Sequence, residues 1–321
     1  MARIWFERVP PPEIVDTLPA SLEIVTHGDG HDRIEDAELV IAGRLHYDAD
    51  VIARTRRAWA ICRTGIGTDR VDVTAATAAG IVVCNTPDAP TQSTAEHTWA
   101  LILAVAKRLD RIRERTRRGE PDLYRRHDAV ELGGKTLGLV GLGRVGSKVA
   151  AIARAVGMDV AAYDPHLDDT AFAAAGVRRA YDLDTLLRQA DVVSLHVPLT
   201  PATRGMIGRH ELASMRPGAI LINTARGALV DHDALLEALE RGRLSGAGLD
   251  VTVPEPLPPD HPLAARDDVV VTPHVATATD RGRLRLVQAA VANAVAVAEG
   301  RRPAGIVNPE VWERRRMPHA T

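Results

Sequence analysis

Cysteine is almost missing from this chain of 321 residues, where only Cys62 and Cys84 occur. Two thiols in a chain this size do not make a disulfide framework, and a cytoplasmic setting is expected. Lysine is nearly as scarce, at 107, 135 and 148 only, so 37 of the 40 basic residues are arginine. That bias runs through the whole chain and reads as compositional rather than functional. An excess of one charge sign is also lacking: 40 basic residues face 42 acidic ones, for a net charge of −2. Nothing overall favours nucleic acid or an acidic membrane. Long hydrophobic runs are absent as well. The longest, Trp99 to Ala106, has eight residues, against the ~20 needed to cross a bilayer. Charges at Arg3, Glu7 and Arg8 interrupt any secretory apolar region at the start. Membrane, collagen-like, disulfide-scaffold and wholly disordered classes are excluded on these grounds. What is present is 45 % hydrophobic and 26 % charged residues, the balance of a soluble globular protein. At roughly 150 residues per domain, the length suggests about two domains.

Short apolar runs alternate with alanine-rich helical patterns, the signature of parallel α/β architecture. Strands are predicted at 2–6, 39–43, 58–62 and 81–85, then near 137–141, 159–163, 192–196, 219–223, 246–250 and 268–272. A long helix is predicted from Ser93, where Ser93 and Glu96 have the S-x-x-E form, to Gly119. Further helices are predicted over 231–242 and 283–300, and the polar tail beyond them is expected to be loose. The proline-rich stretch 253–262 is expected to be an ordered loop. Between 107 and 126, nine basic residues interleave with Asp110, Glu114, Glu120 and Asp122 and carry no run of stacking aromatics. This reads as a solvated helix or subunit contact, not as a nucleic-acid surface.

Gly141-Leu142-Gly143-Arg144-Val145-Gly146 is a G-x-G-x-x-G sequence that directly follows a strand pattern and opens a helical one. That context is the one dinucleotide binding requires. Gly141 would permit the tight turn, Gly143 close backbone approach to a pyrophosphate, and Gly146 packing of helix on strand. The N–H groups of Arg144 and Val145 would face the phosphates. Asp164 ends the next strand, 18 residues after Gly146. An acid about 20 residues on suits the ribose hydroxyls and repels a 2′-phosphate, which favours NAD over NADP. Arg178 and Arg179 lie further on, with nothing to place them at the ribose.

Several more islands follow in order: Arg63 to Asp69, Asn85-Thr86-Pro87, His196 to Thr200, Asn223 to Gly227, Leu249 to Val251, Pro254-Glu255-Pro256 and Thr272-Pro273-His274. With the glycine fingerprint among them, the chain resembles the D-isomer-specific 2-hydroxyacid dehydrogenases over nearly its whole length. The resemblance implies a catalytic set of Arg226, Glu255 and His274. Their chemistry suits the reduction of a 2-oxo acid, which needs a hydride at the carbonyl carbon and a proton at its oxygen. A histidine can supply that proton near neutral pH. A neighbouring carboxylate favours and orients the imidazolium. An arginine fork can hold the substrate carboxylate. Taken singly, each residue has an ordinary structural reading as ion-pair partner, loop acid or core histidine. The resemblance further implies cofactor contacts at His196, Val197, Pro198, Thr203, Thr224 and Asp250, the last with the nicotinamide amide. It implies substrate contacts at Gly65, Ile66 and Gly67, whose N–H groups would bind the carboxylate, and at Arg63. Departures include Val275-Ala276 where many members carry two glycines, and Arg70 where asparagine is frequent.

The expected architecture is two Rossmann-like lobes with parallel sheets: a discontinuous substrate lobe, 1–92 with 288–321, and a central NAD lobe, 93–287. The chemistry is expected in the cleft between them, with NAD (NADH) as cofactor and no metal. The partners expected are a small 2-oxo or 2-hydroxy acid and a second copy of the chain, meeting through the 93–118 helix. Neither nucleic acid nor membrane is expected. The regulatory extensions of some phosphoglycerate dehydrogenases are expected to be absent. Formate dehydrogenases share the fold but carry glutamine in place of Glu255. Related corepressors, which use the same fold and NAD to bind peptides, are the alternative. For the far end of the substrate, Arg63 and Arg125 or Arg126 are candidates to face a second anion. The arginine that phosphoglycerate dehydrogenases carry in the loop near 42–44 aligns here with Ala42. A small uncharged or mono-anionic side chain is therefore expected ahead of a phosphate.

Overall fold

The computed structural model describes residues 1–27 and 30–316. The chain forms two compact units, one of residues 1–90 with 279–321 and the other of residues 91–278. Each is built on a wholly parallel sheet, so the protein is α/β.

In the first unit the strands are β1 (Ala2–Phe6), β2 (Leu22–His27), β3 (Leu39–Ala42), β4 (Ala60–Arg63) and β5 (Val82–Cys84), in the order β2-β1-β3-β4-β5. β3, β4 and β5 are buried at every position, as parallel strands covered on both faces must be. The alternation of side chains sorts them. Ile4, Phe6, Leu39, Ile41, Cys62 and Cys84 pack with Ala290, Ala294 and Val297 of the helix Asp280–Ala298. Trp5, Val40, Ile61 and Val83 face the other way, with Ile52 and Ala76. Asp48, Asp72 and Thr279 cap the helices that follow them by accepting the N–H groups of Val51, Ala75 and Gly282.

The second unit holds β6 (Thr136–Val140), β7 (Asp159–Tyr163), β8 (Arg178–Arg179), β9 (Val192–Leu195), β10 (Ala219–Asn223), β11 (Leu244–Leu249) and β12 (Val269–Val271). Their order is β12-β11-β10-β9-β6-β7-β8. The winding reverses between β6 and β9, the place where doubly wound sheets bind ligands.

The structure changes several sequence expectations. β2 lacks a strong apolar run and is absent from the predicted strands; it lies at the sheet edge beside β1. The helix expected from Ser93 to Gly119 begins at Thr91 and divides into Thr91–Ala106 and Leu109–Arg117. Arg108 breaks it by adopting φ 52°, with its guanidinium on the Ser245 carbonyl at 2.5 Å. The helix expected from 283 starts at Asp280, so the later boundary between units falls at 278/279 rather than 287/288. The tail is docked as far as Arg316. Asn308, 1 % exposed, accepts from Val83 N at 2.8 Å and donates to Ile81 O at 3.0 Å. Residues 317–321 lie outside the described residues.

Candidate active site

The glycine loop leaves β6 and enters the helix Arg144–Ala155. Gly141 has φ 95°, and a Cβ there would lie 2.8 Å from the His196 carbonyl oxygen. A Cβ on Gly146 would lie 2.4 Å from the Gly141 carbonyl oxygen, so helix and strand meet at a spacing only glycine allows. Gly143 differs: nothing lies within 4 Å of its Cβ position. It is the N-cap of the helix and supplies no side-chain cap. Open space therefore lies over a helix N-terminus, as an anionic pyrophosphate requires.

Asp164, just beyond β7, accepts from Leu142 N and His166 N, both at 3.0 Å. It braces the glycine loop, and two oxygens with about four acceptor sites keep capacity for ribose hydroxyls. Arg178 instead donates to Gln189 and Arg179 pairs with Asp169. His196 follows β9, and its Nε2 lies 2.9 Å from the Ser194 hydroxyl. Burial lowers its pKa to about 4, so it is a neutral ring at physiological pH. Val197 and Pro198 continue this loop, which Thr203 ties by donating to the Pro198 carbonyl at 2.7 Å.

Arg226 follows β10 on a turn shaped by Asn223, which accepts from Ala225 N at 3.0 Å and donates to Arg226 O at 2.8 Å. A Cβ at Gly227 would lie 2.3 Å from the Thr252 carbonyl carbon. The Arg226 turn therefore packs backbone to backbone on the segment leading to Glu255. Thr224 is buried, its hydroxyl 2.8 Å from that of Thr98.

His274 Nδ1 and Glu255 Oε1 are 2.7 Å apart. Both side chains are half-buried, at 29 % and 19 % exposure. The carboxylate on Nδ1 fixes the ring's orientation and tautomer. His274 has φ 54°, a left-handed conformation costly for a residue with a side chain. Asp250 holds it there. Its carbonyl accepts His274 N at 2.7 Å, and its carboxylate accepts Val275 N at 2.8 Å and Ala276 N at 3.0 Å. The same carboxylate takes the Thr272 hydroxyl at 2.6 Å and lies 3.3 Å from His97 Nε2. Burial works against the Asp250 charge, but these donors outweigh it and hold its pKa below the usual carboxylate range. Asp250 thus commits its carboxylate to protein donors around the His274 loop. Sequence reasoning missed His97, which no motif marks as a partner of these loops, and it placed Asn223 in a motif without giving it a role.

Arg63, Gly65, Ile66 and Gly67 belong to the first unit. Arg63, only 7 % exposed, donates to Gly67 O at 3.1 Å and also to Gly43 O. Asn85 Nδ2 donates to Ile66 O at 2.9 Å. The basic segment is largely paired within itself and its surroundings: Arg111 with Asp128 and Asp267, Arg115 with Glu120, Arg118 with Glu114.

A family model, the NAD binding domain of D-isomer specific 2-hydroxyacid dehydrogenases, matches residues 99–276. A glyoxylate reductase of Aeropyrum pernix is 44 % identical over 270 residues, which cover 82 % of this chain and 80 % of that one. A D-3-phosphoglycerate dehydrogenase of Methanocaldococcus jannaschii is 43 % identical over 253 residues, 78 % of this chain. The match spans about half of that relative, 48 % of its length. A crystal structure of a Thermus thermophilus protein superposes with a TM-score of 0.87 at 42 % identity, covering 95 % of this chain and 99 % of that one. The chain belongs to the D-isomer specific 2-hydroxyacid dehydrogenase family.

Proposed function

We propose that this protein interconverts a 2-oxo acid and the corresponding (R)-2-hydroxy acid with NAD(H) as redox partner. The observation that carries the reading is the His274–Glu255 pair, 2.7 Å apart, in a unit whose glycine loop, helix N-terminus and Asp164 suit a dinucleotide. Gly141 to Gly146, with the N–H groups of Arg144 and Val145, would hold the pyrophosphate. Asp164 would take the ribose hydroxyls and disfavour a 2′-phosphate, hence NAD. His196, Val197, Pro198, Thr203 and Thr224 would line the rest of the dinucleotide site. Asp250 would shape its nicotinamide end chiefly through the loop it clamps. The bound nicotinamide supplies or accepts the hydride at C2.

The residues do the remainder. Arg226 binds the substrate carboxylate through its N–H fork, aided by backbone N–H groups of Gly65 to Gly67. The His274 imidazolium donates its Nε2 proton to the carbonyl oxygen as that oxygen gains charge, and in the reverse direction takes the hydroxyl proton. Glu255 accepts from Nδ1 and balances the ring's positive charge.

A homodimer through the 93–118 segment suits the exposure of Leu103 and Leu109, which are 42 % and 49 % exposed. Large apolar side chains at a surface favour such contacts.

The test is His274→Ala. It should lower kcat for 2-oxo acid reduction by at least about 100-fold, the usual scale for loss of a general acid. NADH affinity, read by fluorescence titration, should stay near wild type. Turnover at the wild-type rate would remove His274 from the proton-transfer role.

A further inference from the structure

The sheet of the first unit carries an anion site that the chain fills itself. Its order, β2-β1-β3-β4-β5, reverses the winding between β1 and β3. Open α/β sheets bind ligands beyond the carboxyl ends of their strands at that place. Here it is held by Glu7, the residue after β1. The Glu7 carboxylate, on a residue 6 % exposed, accepts three successive backbone N–H groups beyond β3: Gly43 at 2.6 Å, Arg44, and Leu45 at 3.1 Å. The Tyr47 hydroxyl adds a fourth donor at 3.0 Å. Burial and the adjacent Glu7 charge push the Tyr47 phenol far above its usual pKa, so it stays a donor. A Cβ on Gly43 would fall 2.6 Å from Glu7 Oε1; glycine stands there to admit the carboxylate.

Successive N–H groups converging in this way form a nest, a concavity made for an anion such as phosphate. Beside it, the buried Arg63 directs donors to the Gly43 and Gly67 carbonyls, strapping the loops after β3 and β4 together. Arg44 is exposed and Arg70 half-buried, with Arg70 Nη1 on the Arg44 carbonyl at 2.5 Å. Cations in contact with water recognise anions weakly once salt is present.

We propose that Glu7 is a specificity-determining residue: a built-in anion that fills this nest and selects 2-oxo acids whose only anion is the carboxylate. A substrate with a second anion on its tail, such as a phosphate ester, meets an occupied nest and a like charge. The proposal rests on the dehydrogenase reading above, and it assigns the class of substrate.

Two measurements test it. The wild-type protein is assayed with glyoxylate, hydroxypyruvate and phosphohydroxypyruvate, and kcat/KM should favour the unphosphorylated acids by at least about tenfold, the scale of one partly screened charge repulsion. An equal or better kcat/KM for phosphohydroxypyruvate would overturn the proposal, and this arm needs no variant to fold. In the second arm Glu7→Ala empties the nest, and thermal unfolding is followed while inorganic phosphate is added against chloride of equal ionic strength. The variant should gain a saturable rise in Tm that the wild type lacks, while equal shifts in both would overturn the nest. Failure to reduce any 2-oxo acid would contradict the dehydrogenase reading, and the phosphate titration would still decide whether Glu7 fills an anion site.

Discussion

At the scale of single residues, the site turns on one strained histidine. His274 keeps a positive φ because three consecutive backbone N–H groups, its own and those of Val275 and Ala276, are all taken by Asp250. The clamp fixes the backbone, and Glu255 fixes the ring. Removing the Glu255 charge while keeping its shape separates the two effects. In Glu255→Gln the protonated imidazole loses the carboxylate that balances its charge, so kcat for reduction should fall by at least about tenfold while NADH affinity stays near wild type. Steady-state kinetics measures this, and an unchanged kcat would mean that the Glu255 charge adds nothing beyond positioning the ring. His274 and Glu255 were legible in the sequence because each sits in a short motif of fixed type. The clamp was not, since backbone hydrogen bonds to Asp250 leave no trace in residue identity beyond an acid at a strand end. The same holds for Arg63, whose donors to the Gly67 and Gly43 carbonyls leave no mark in the sequence.

At the scale of elements, the glycine loop and its helix form a unit with little tolerance. The Gly146 Cβ position lies 2.4 Å from a backbone oxygen, which cannot swing aside as a side chain can. Gly146→Ala should cost about 1–3 kcal/mol of stability, the usual scale of overpacking, and weaken NADH binding alongside. Unchanged denaturation midpoint and affinity would contradict the packing described. Asp164 braces the same loop through Leu142 N, so Asp164→Ser tests two roles at once. The ratio of kcat/KM for NADH over NADPH should fall by at least about tenfold as a carboxylate that repels the 2′-phosphate is lost. A wild type that already prefers NADPH would contradict the cofactor assignment. This element was legible because strand, glycines and helix stand in one continuous stretch. The break in the helix after Ala106 was not: no glycine or proline marks it, and Arg108 turns left-handed while its guanidinium holds Ser245 O, more than a hundred residues away in sequence.

At the scale of the whole molecule, both sheets are parallel and both reverse their winding, between β1 and β3 and between β6 and β9. One reversal carries an open helix N-terminus, the other a nest closed by Glu7. The alternation of apolar runs and helical patterns made the α/β class and most strands legible. The edge strand β2 escaped because its residues carry too little apolar character to stand out. The return of the chain at Thr279, and the docking of the tail by Asn308, escaped because both depend on contacts remote in sequence. The central claim, a nicotinamide-linked reduction at C2 with R stereochemistry, is met most directly by one measurement on the wild-type protein. NADH is incubated with hydroxypyruvate, its oxidation is followed, and the configuration of the glycerate formed is determined. One NADH consumed per (R)-glycerate is the expected result; (S)-glycerate, or no NADH oxidation with hydroxypyruvate, glyoxylate or pyruvate, would contradict the claim.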